Sequence, residues 1–220
     1  MQLALVGGSA CEPAPGLRGL CQYCDSDMIA KCGPLKLKQW HWAHKTRVPC
    51  DHWWESETVW HREWKNQFPI NWRERVRIDP ETGEKHIADV RTKHGMVIEF
   101  QRSSLALAEV QSREAFYGNM VWIVDGRRAK FDSLYFKMSL GGLISSSPPS
   151  YSLAWIGRSK LFHRWHLANK LVFIDFGEPD LWLRIDFNLQ TRMGVVAPIG
   201  KDDLIQRMIN GQPLPRIISY

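Results

Sequence analysis

The chain has 220 residues, 44% hydrophobic and 24% charged, which is long enough to bury a core without disulfide staples and ordinary for a folded protein. No apolar run approaches the roughly eighteen residues of a membrane span, and Met1-Gln2-Leu3-Ala4-Leu5-Val6 lacks the basic and apolar regions of a signal peptide, so the expectations are no membrane and a cytoplasmic setting. The formal charge of +6 divides as +3 for residues 1–50, −3 for 51–126 and +6 for 127–220, a pattern suited to an acidic pocket set among cationic surfaces that face a polyanion.

In chain order, Met1–Val6 reads as a first strand. All five cysteines fall within the first fifty residues, and an odd, clustered set in a reducing compartment points to metal ligation before disulfides. Cys21-Gln22-Tyr23-Cys24 offers two thiolates at knuckle spacing, and His41-Trp42-Ala43-His44 offers two imidazoles, so Cys21, Cys24, His41 and His44 are the expected ligands of one tetrahedral zinc. Cys32, Cys50 and His52 are rival ligands. The His-x2-His spacing and the lack of a following recognition helix argue for a structural ribbon or knuckle. Buried apolar cysteines beside surface histidines are the bland alternative.

Seven of the eleven tryptophans lie between Trp40 and Trp72 and are expected to be mostly core. The periodicity predicts a helix from about Asp51 to Phe68. Turned at about 100° per residue, it places Trp53, Trp60, Trp64 and Phe68 in one arc with Glu57 inside it and His61 at its edge. A carboxylate among tryptophans is costly unless a metal or cation pairs with it; a salt bridge to an arginine such as Arg75 or Arg77 is the structural alternative.

A strand is expected around Asn71–Ile78, then a hairpin across His86–Gln101. Its loop, Lys93-His94-Gly95, has the length of a type I turn plus bulge, with Gly95 left-handed. That loop sets Asp89 opposite Glu99, with Gln101 on the face of Glu99. Two opposed carboxylates repel, and a cation between them is the natural explanation. A helix at 104–117 and a buried strand at Met120–Val124 complete the order α-β-β-β-α-β. Ser145-Ser146-Ser147-Pro148-Pro149-Ser150 reads as a linker. Beyond it, strands at Leu171–Phe176 and Leu181–Phe187 flank a Gly177-Glu178-Pro179-Asp180 turn, and a helix covers Lys201–Asn210.

An Asp-x9-Glu-x-Gln hairpin following a glutamate-bearing helix resembles the PD-(D/E)xK nuclease superfamily. More specifically, Cys21-x2-Cys24, the His41-Trp42-Ala43-His44 box, Glu57-Thr58 with His61, Trp64 and Lys65, then His86-Ile87-Ala88-Asp89-Val90 and Ile98-Glu99-Phe100-Gln101-Arg102-Ser103 are similar to the competence protein CoiA-like nucleases over roughly residues 3–125. The resemblance implies an α/β (α+β) fold: a restriction-endonuclease-like αβββαβ core at 51–126, with an N-terminal zinc-binding element at 1–50. A basic, β-rich C-terminal extension at 127–220 completes the expected organisation. The implied activity is metal-dependent hydrolysis of DNA phosphodiester bonds, with roles in DNA uptake, processing or defence.

On that resemblance Asp89, Glu99 and Glu57 hold Mg²⁺ or Mn²⁺ and Gln101 orients water. Gln101 stands where the superfamily has lysine, and Lys65 is one source for the missing charge. Arg113 and Tyr117 occupy the place of a Gln-x3-Tyr pair in RecB-like relatives and, with Lys65, are the expected contacts to the DNA backbone; Tyr117 has packing as its alternative. A rival class is a non-catalytic zinc-containing nucleic-acid-binding module. A scaffold with a protein partner in a DNA-processing or defence complex is a third.

Overall fold

In a computed structural model of the chain, the described residues are 1–32, 39–46, 50–53 and 55–215. The chain is mixed α+β and built mostly of strands. It divides into two compact units, Met1–Lys93 and His94–Tyr220. Among the described residues no helix is long and apolar enough to cross a membrane.

The first unit opens with five short strands: β1 (Ala4–Val6), β2 (Ser9–Cys11), β3 (Arg18–Leu20), β4 (Asp27–Lys31) and β5 (His41–His44), forming a five-stranded sheet in the order β2-β1-β3-β4-β5. The sheet closes over Ala4, Cys21, Met28 and Trp42, each at most 2% exposed. So small a core would be marginal alone, which is where a metal staple has most effect.

Helix α1 (Val59–Lys65) is much shorter than the periodicity predicts. Thr58 is its N-cap: the Thr58 hydroxyl accepts from the His61 N–H at 3.4 Å, and the His61 ring accepts from the Thr58 N–H at 3.4 Å. This capping box uses histidine where glutamate or glutamine is usual. The apolar arc upstream of it is therefore not helical; Trp53 is buried, yet the Asp51 carboxylate takes its N–H in a turn. Trp54, inside the expected helix, lies outside the described residues. After a 3₁₀ turn at Ile70–Trp72 come the antiparallel strands β6 (Arg73–Ile78) and β7 (Lys85–Arg91), with Arg75 opposite Ala88. Along β7 the even-numbered residues His86, Ala88 and Val90 are buried while Ile87 and Asp89 are half-buried, so Asp89 stands on the more open face.

In the second unit, Gly95 takes φ +82°, the left-handed conformation its loop position demands. Strand β8 (Val97–Gln101), helix α2 (Leu107–Tyr117) and strand β9 (Met120–Asp125) follow. Strands β8 and β9 run parallel and every residue in both is buried, which explains their near-continuous apolar character. Next come α3 (Asp132–Ser139), β10 (Leu140–Ser146), β11 (Pro149–Ala154), α4 (Leu161–Trp165), β12 (Leu171–Asp175), β13 (Asp180–Phe187), β14 (Met193–Gly200) and α5 (Lys201–Asn210). Within this unit the strand order is β10-β11-β14-β13-β12-β9-β8.

Two expectations need correction here. Ser145–Ser150 is no linker but the turn joining β10 to β11, with Ser146 opposite Pro149. The region after 127 is also no separate extension, because β12 pairs in parallel with β9 from Leu171↔Val121 to Asp175↔Asp125. Trp122 meets Trp165 of α4 at 5.1 Å, and Phe136 of α3 stacks on Phe176 at 4.2 Å, so the later helices supply the aromatic layer over these strands.

Candidate functional site

The knuckle after β3 is a tight turn: Cys21 N–H donates to the Ser26 carbonyl, Asp25 N–H donates to the Cys21 carbonyl, and Asp25 takes φ +58°. This brings Cys21 and Cys24 together. The ligand atoms of Cys21, Cys24, His44 and Cys50 lie within 4.8 Å of one another, a set that could hold a metal such as zinc. The Cys21 and Cys50 sulfurs are 3.8 Å apart, matching the edge of about 3.8 Å in a tetrahedron with zinc–sulfur bonds of about 2.3 Å. Cys24 Sγ lies 3.3 Å from His44 Nε2.

His41 is not in the set, and Cys50 takes the fourth place. The two histidines are three apart on β5, where successive side chains alternate, so His41 and His44 face opposite ways; the His41 ring lies 3.1 Å from the Gln39 carbonyl instead. Burial pushes the Cys21 thiol up and the Cys50 thiol up to about 12. Burial acts the same way on Cys24, but hydrogen bonds from Ser26 and its sulfur neighbours outweigh it and bring that thiol down. Burial lowers His44, favouring the neutral imidazole that binds metal. A cation at the centre would reverse the cost of ionising the two raised thiols.

Next to Cys50, Asp51 organises a second group that sequence reasoning missed. Its carboxylate accepts from the Ile87 N–H at 2.6 Å and from Trp53 N–H at 3.0 Å, and lies 2.8 Å from His86 Nδ1. His86 Nε2 lies 2.9 Å from Glu84, and its ring stacks on Trp53 at 3.3 Å. Asp51, His52 and His86 also bring their ligand atoms within 4.8 Å, but both Asp51 oxygens are already occupied, so the group reads as a latch between the Cys50 segment and β7.

Three carboxylates of the first unit gather around Lys65. Its ammonium lies 2.6 Å from Glu57, 2.8 Å from Glu74 and 3.7 Å from Asp89, with the lysine side chain 4% exposed. Burial alone would lower the lysine; Glu74, Glu57 and Asp89 outweigh it and hold the ammonium firmly charged. Burial likewise works against the Glu74 anion, yet Lys65, the N-terminal ammonium and a backbone donor bring it down to about 2. Glu74 also accepts from the Gln2 and Leu3 N–H groups at 2.8 and 2.7 Å. The alternation of Glu74 with Arg73, Arg75 and Arg77 disguised it as one surface charge among many.

The Glu57 side chain is enclosed, 6% exposed, although the residue precedes α1 and does not lie on it. Its two oxygens go to Lys65 at 2.6 Å and Arg62 at 3.2 Å, so it is an anchor for cations and not an open metal ligand. Its partners are neither Arg75 nor Arg77. Lys65, expected against DNA, is enclosed by these carboxylates. Burial pushes the neighbouring His61 imidazole down, with Lys65 acting in the same direction.

In the second unit Glu99 and Gln101 are buried on β8. Arg113 reaches Glu99 at 3.3 Å and Glu109 at 2.6 Å. The Gln101 amide donates to the carbonyl and hydroxyl of Ser103 at 3.2 and 3.1 Å. The expectation that Arg113 and Tyr117 face phosphate is corrected: Val110, Arg113, Glu114 and Tyr117, spaced i, i+3, i+4, i+7, are the buried stripe of α2. Arg113 and Tyr117 are 4% and 1% exposed, and Tyr117 takes its packing alternative. Glu114, also buried, accepts from Trp122 Nε1 at 3.0 Å and the Asn169 N–H at 2.9 Å.

Compared with protein families, with curated proteins and with solved structures, the chain matches none.

Proposed function

We propose that this chain is a metal-dependent nuclease that hydrolyses DNA phosphodiester bonds, of the CoiA-like kind that its motifs resemble within the PD-(D/E)xK superfamily. The observation that carries the reading is the buried Lys65 ammonium, held by Glu57 and Glu74 at 3.7 Å from Asp89. The superfamily's motif lysine is replaced here by Gln101, and Lys65 supplies a positive charge beside the motif aspartate from a different element. The order α1, β6, β7, β8, α2, β9 along the chain supports the reading as well.

On this reading the ligands of Mg²⁺ or Mn²⁺ are Asp89 and Glu99, whose opposition rests on the loop register of the sequence. Carboxylate oxygens suit a hard divalent ion, and the Asp89 side chain is 24% exposed, open to one. When bound, the ion supplies acidity to water and offsets charge gathering on phosphorus. Glu57 leaves the ligand set and positions Lys65. Lys65 places a fixed positive charge 3.7 Å from Asp89, and Gln101, a neutral amide, orients rather than activates. The Cys21, Cys24, His44, Cys50 cluster is structural zinc, and the cellular role lies in DNA uptake, processing or defence.

A second reading is a non-catalytic, zinc-containing DNA-binding module. One observation favours it: Glu57, Asp89 and Glu99 each already have a cationic side chain within 4 Å. Incubation of linear and circular DNA with Mg²⁺, Mn²⁺ or EDTA separates the two. Cleavage that needs metal and is lost in both Asp89→Ala and Glu99→Ala supports the nuclease, whereas tight binding without cleavage under any metal supports the module.

A further inference from the structure

The second unit contains a cavity of about 250 Å³ at the carboxyl ends of β8 and β9, the end of a parallel sheet where ligands usually sit. Arg102 and Ser103 enter it directly after β8, Arg128 follows β9, and Lys160 and Arg164 come from α4 and the residue before it. Against these four cations stand two carboxylates, Asp125 and Asp132. Asp125 is already engaged: it accepts from the Arg127 N–H at 2.9 Å and pairs with Arg102 at 3.4 Å and Arg127 Nε at 3.5 Å. Among the described residues, no carboxylate lies within 4 Å of the charged ends of Arg128, Lys160 or Arg164. Arg128 donates to the Ser104 hydroxyl, which leaves the rest of its guanidinium fork available.

Like charges gathered in one concavity cost free energy unless an anion joins them. Burial lowers the Arg164 guanidinium from its ordinary value and the nearby Arg128 adds to the effect against the pull of Asp132, while burial raises the Asp132 carboxyl against Ser159 and Arg164. Val124, Leu161 and Trp165 form apolar wall, which strengthens any charge pairing formed there. Two guanidinium forks and an ammonium match the tetrahedral oxygens of phosphate better than a flat carboxylate. Ser103, in the cavity wall, is the residue that holds the Gln101 amide, so a group seated here is registered against Gln101.

We infer that this cavity is a phosphate seat and, resting on the nuclease reading, that its occupant is the terminal phosphate of a nucleic-acid strand. The seat would then set the distance from a strand end at which Gln101 meets the backbone.

The test is fluorescence anisotropy of the full chain, with no divalent metal added, using short DNA oligonucleotides that end in phosphate or in hydroxyl. The phosphate-ended strands should bind about tenfold tighter, as two charge-assisted contacts would give. Arg164→Gln and, as a second variant, Arg128→Gln should each remove most of that advantage while leaving the affinity for hydroxyl-ended strands within about twofold. Inorganic phosphate should displace the phosphate-ended strand selectively. Equal affinity for both ends, an advantage that survives both variants, or displacement of both strands alike by inorganic phosphate would overturn the seat. Absence of metal-dependent cleavage with the end preference intact would sink the nuclease reading alone, and cleavage without the preference would sink only the seat.

Discussion

Replacing Lys65 with methionine keeps most of the side chain's volume and removes the ammonium that Glu57, Glu74 and Asp89 surround. Glu74 sets the upper limit of the effect: its fall from the ordinary 4.5 to about 2, to which the N-terminal ammonium and the Gln2 N–H also contribute, is worth about 3 kcal/mol at neutral pH, the scale of about 3–5 kcal/mol expected when one partner of a buried pair is deleted. The sign with pH follows from the direction of the shift. A depressed carboxyl stabilises the fold in full above about pH 4.5 and loses that contribution as the pH falls toward about 2. Urea unfolding at pH 7 and pH 3 should therefore show Lys65→Met less stable by up to about 3 kcal/mol at pH 7, with a smaller gap at pH 3. A gap below about 1 kcal/mol at pH 7, or one that does not narrow in acid, would refute the idea that this lysine neutralises the cluster.

Cys50→Ser should abolish zinc retention and destabilise the first unit, whereas His41→Ala should retain one zinc per chain; elemental analysis of the purified variants reads both directly. Asp51→Ala should cost about 2 kcal/mol in urea unfolding, because the half-buried Ile87 N–H and the buried His86 ring lose their acceptor, while zinc content stays unchanged. Gln101→Ala should lower metal-dependent cleavage by about a hundredfold if the amide orients the reacting water, and Gln101→Lys should keep or raise the rate. Equal rates for wild type and Gln101→Ala would remove Gln101 from the site.

Legibility in the sequence followed how local each determinant was. Helix α5 runs from Lys201 to Asn210 as the sequence predicts, and its stop is local: Gly211 caps it left-handed at φ +67°. The strands at β9, β12 and β13 were readable from their apolar runs. Helix α1 was misjudged because an apolar arc outranked the capping box at Thr58 and His61, which lacks the usual acidic partner. Arg113 was misplaced because a resemblance was followed where the i, i+3, i+4, i+7 stripe of α2 already pointed inward. Cys50 lost to His41 because the His-x2-His spacing was read without the alternation that a strand imposes. Glu74 could not be found locally, since its burial depends on a helix lysine nine residues earlier and on backbone N–H groups about seventy residues away.

The parallel register of β9 between β8 and β12 limits how the chain can be divided. A protein ending at residue 126 would keep every motif of the nuclease resemblance but would strip β9 of its neighbour along the stretch that meets Leu171–Asp175. That leaves an uncovered rim of backbone donors and acceptors on Met-Val-Trp-Ile-Val-Asp, an apolar β-prone sequence that also loses the aromatic cover of Trp165. Such a rim recruits strands from other copies, so the shortened chain should form aggregates and not an autonomous minimal enzyme.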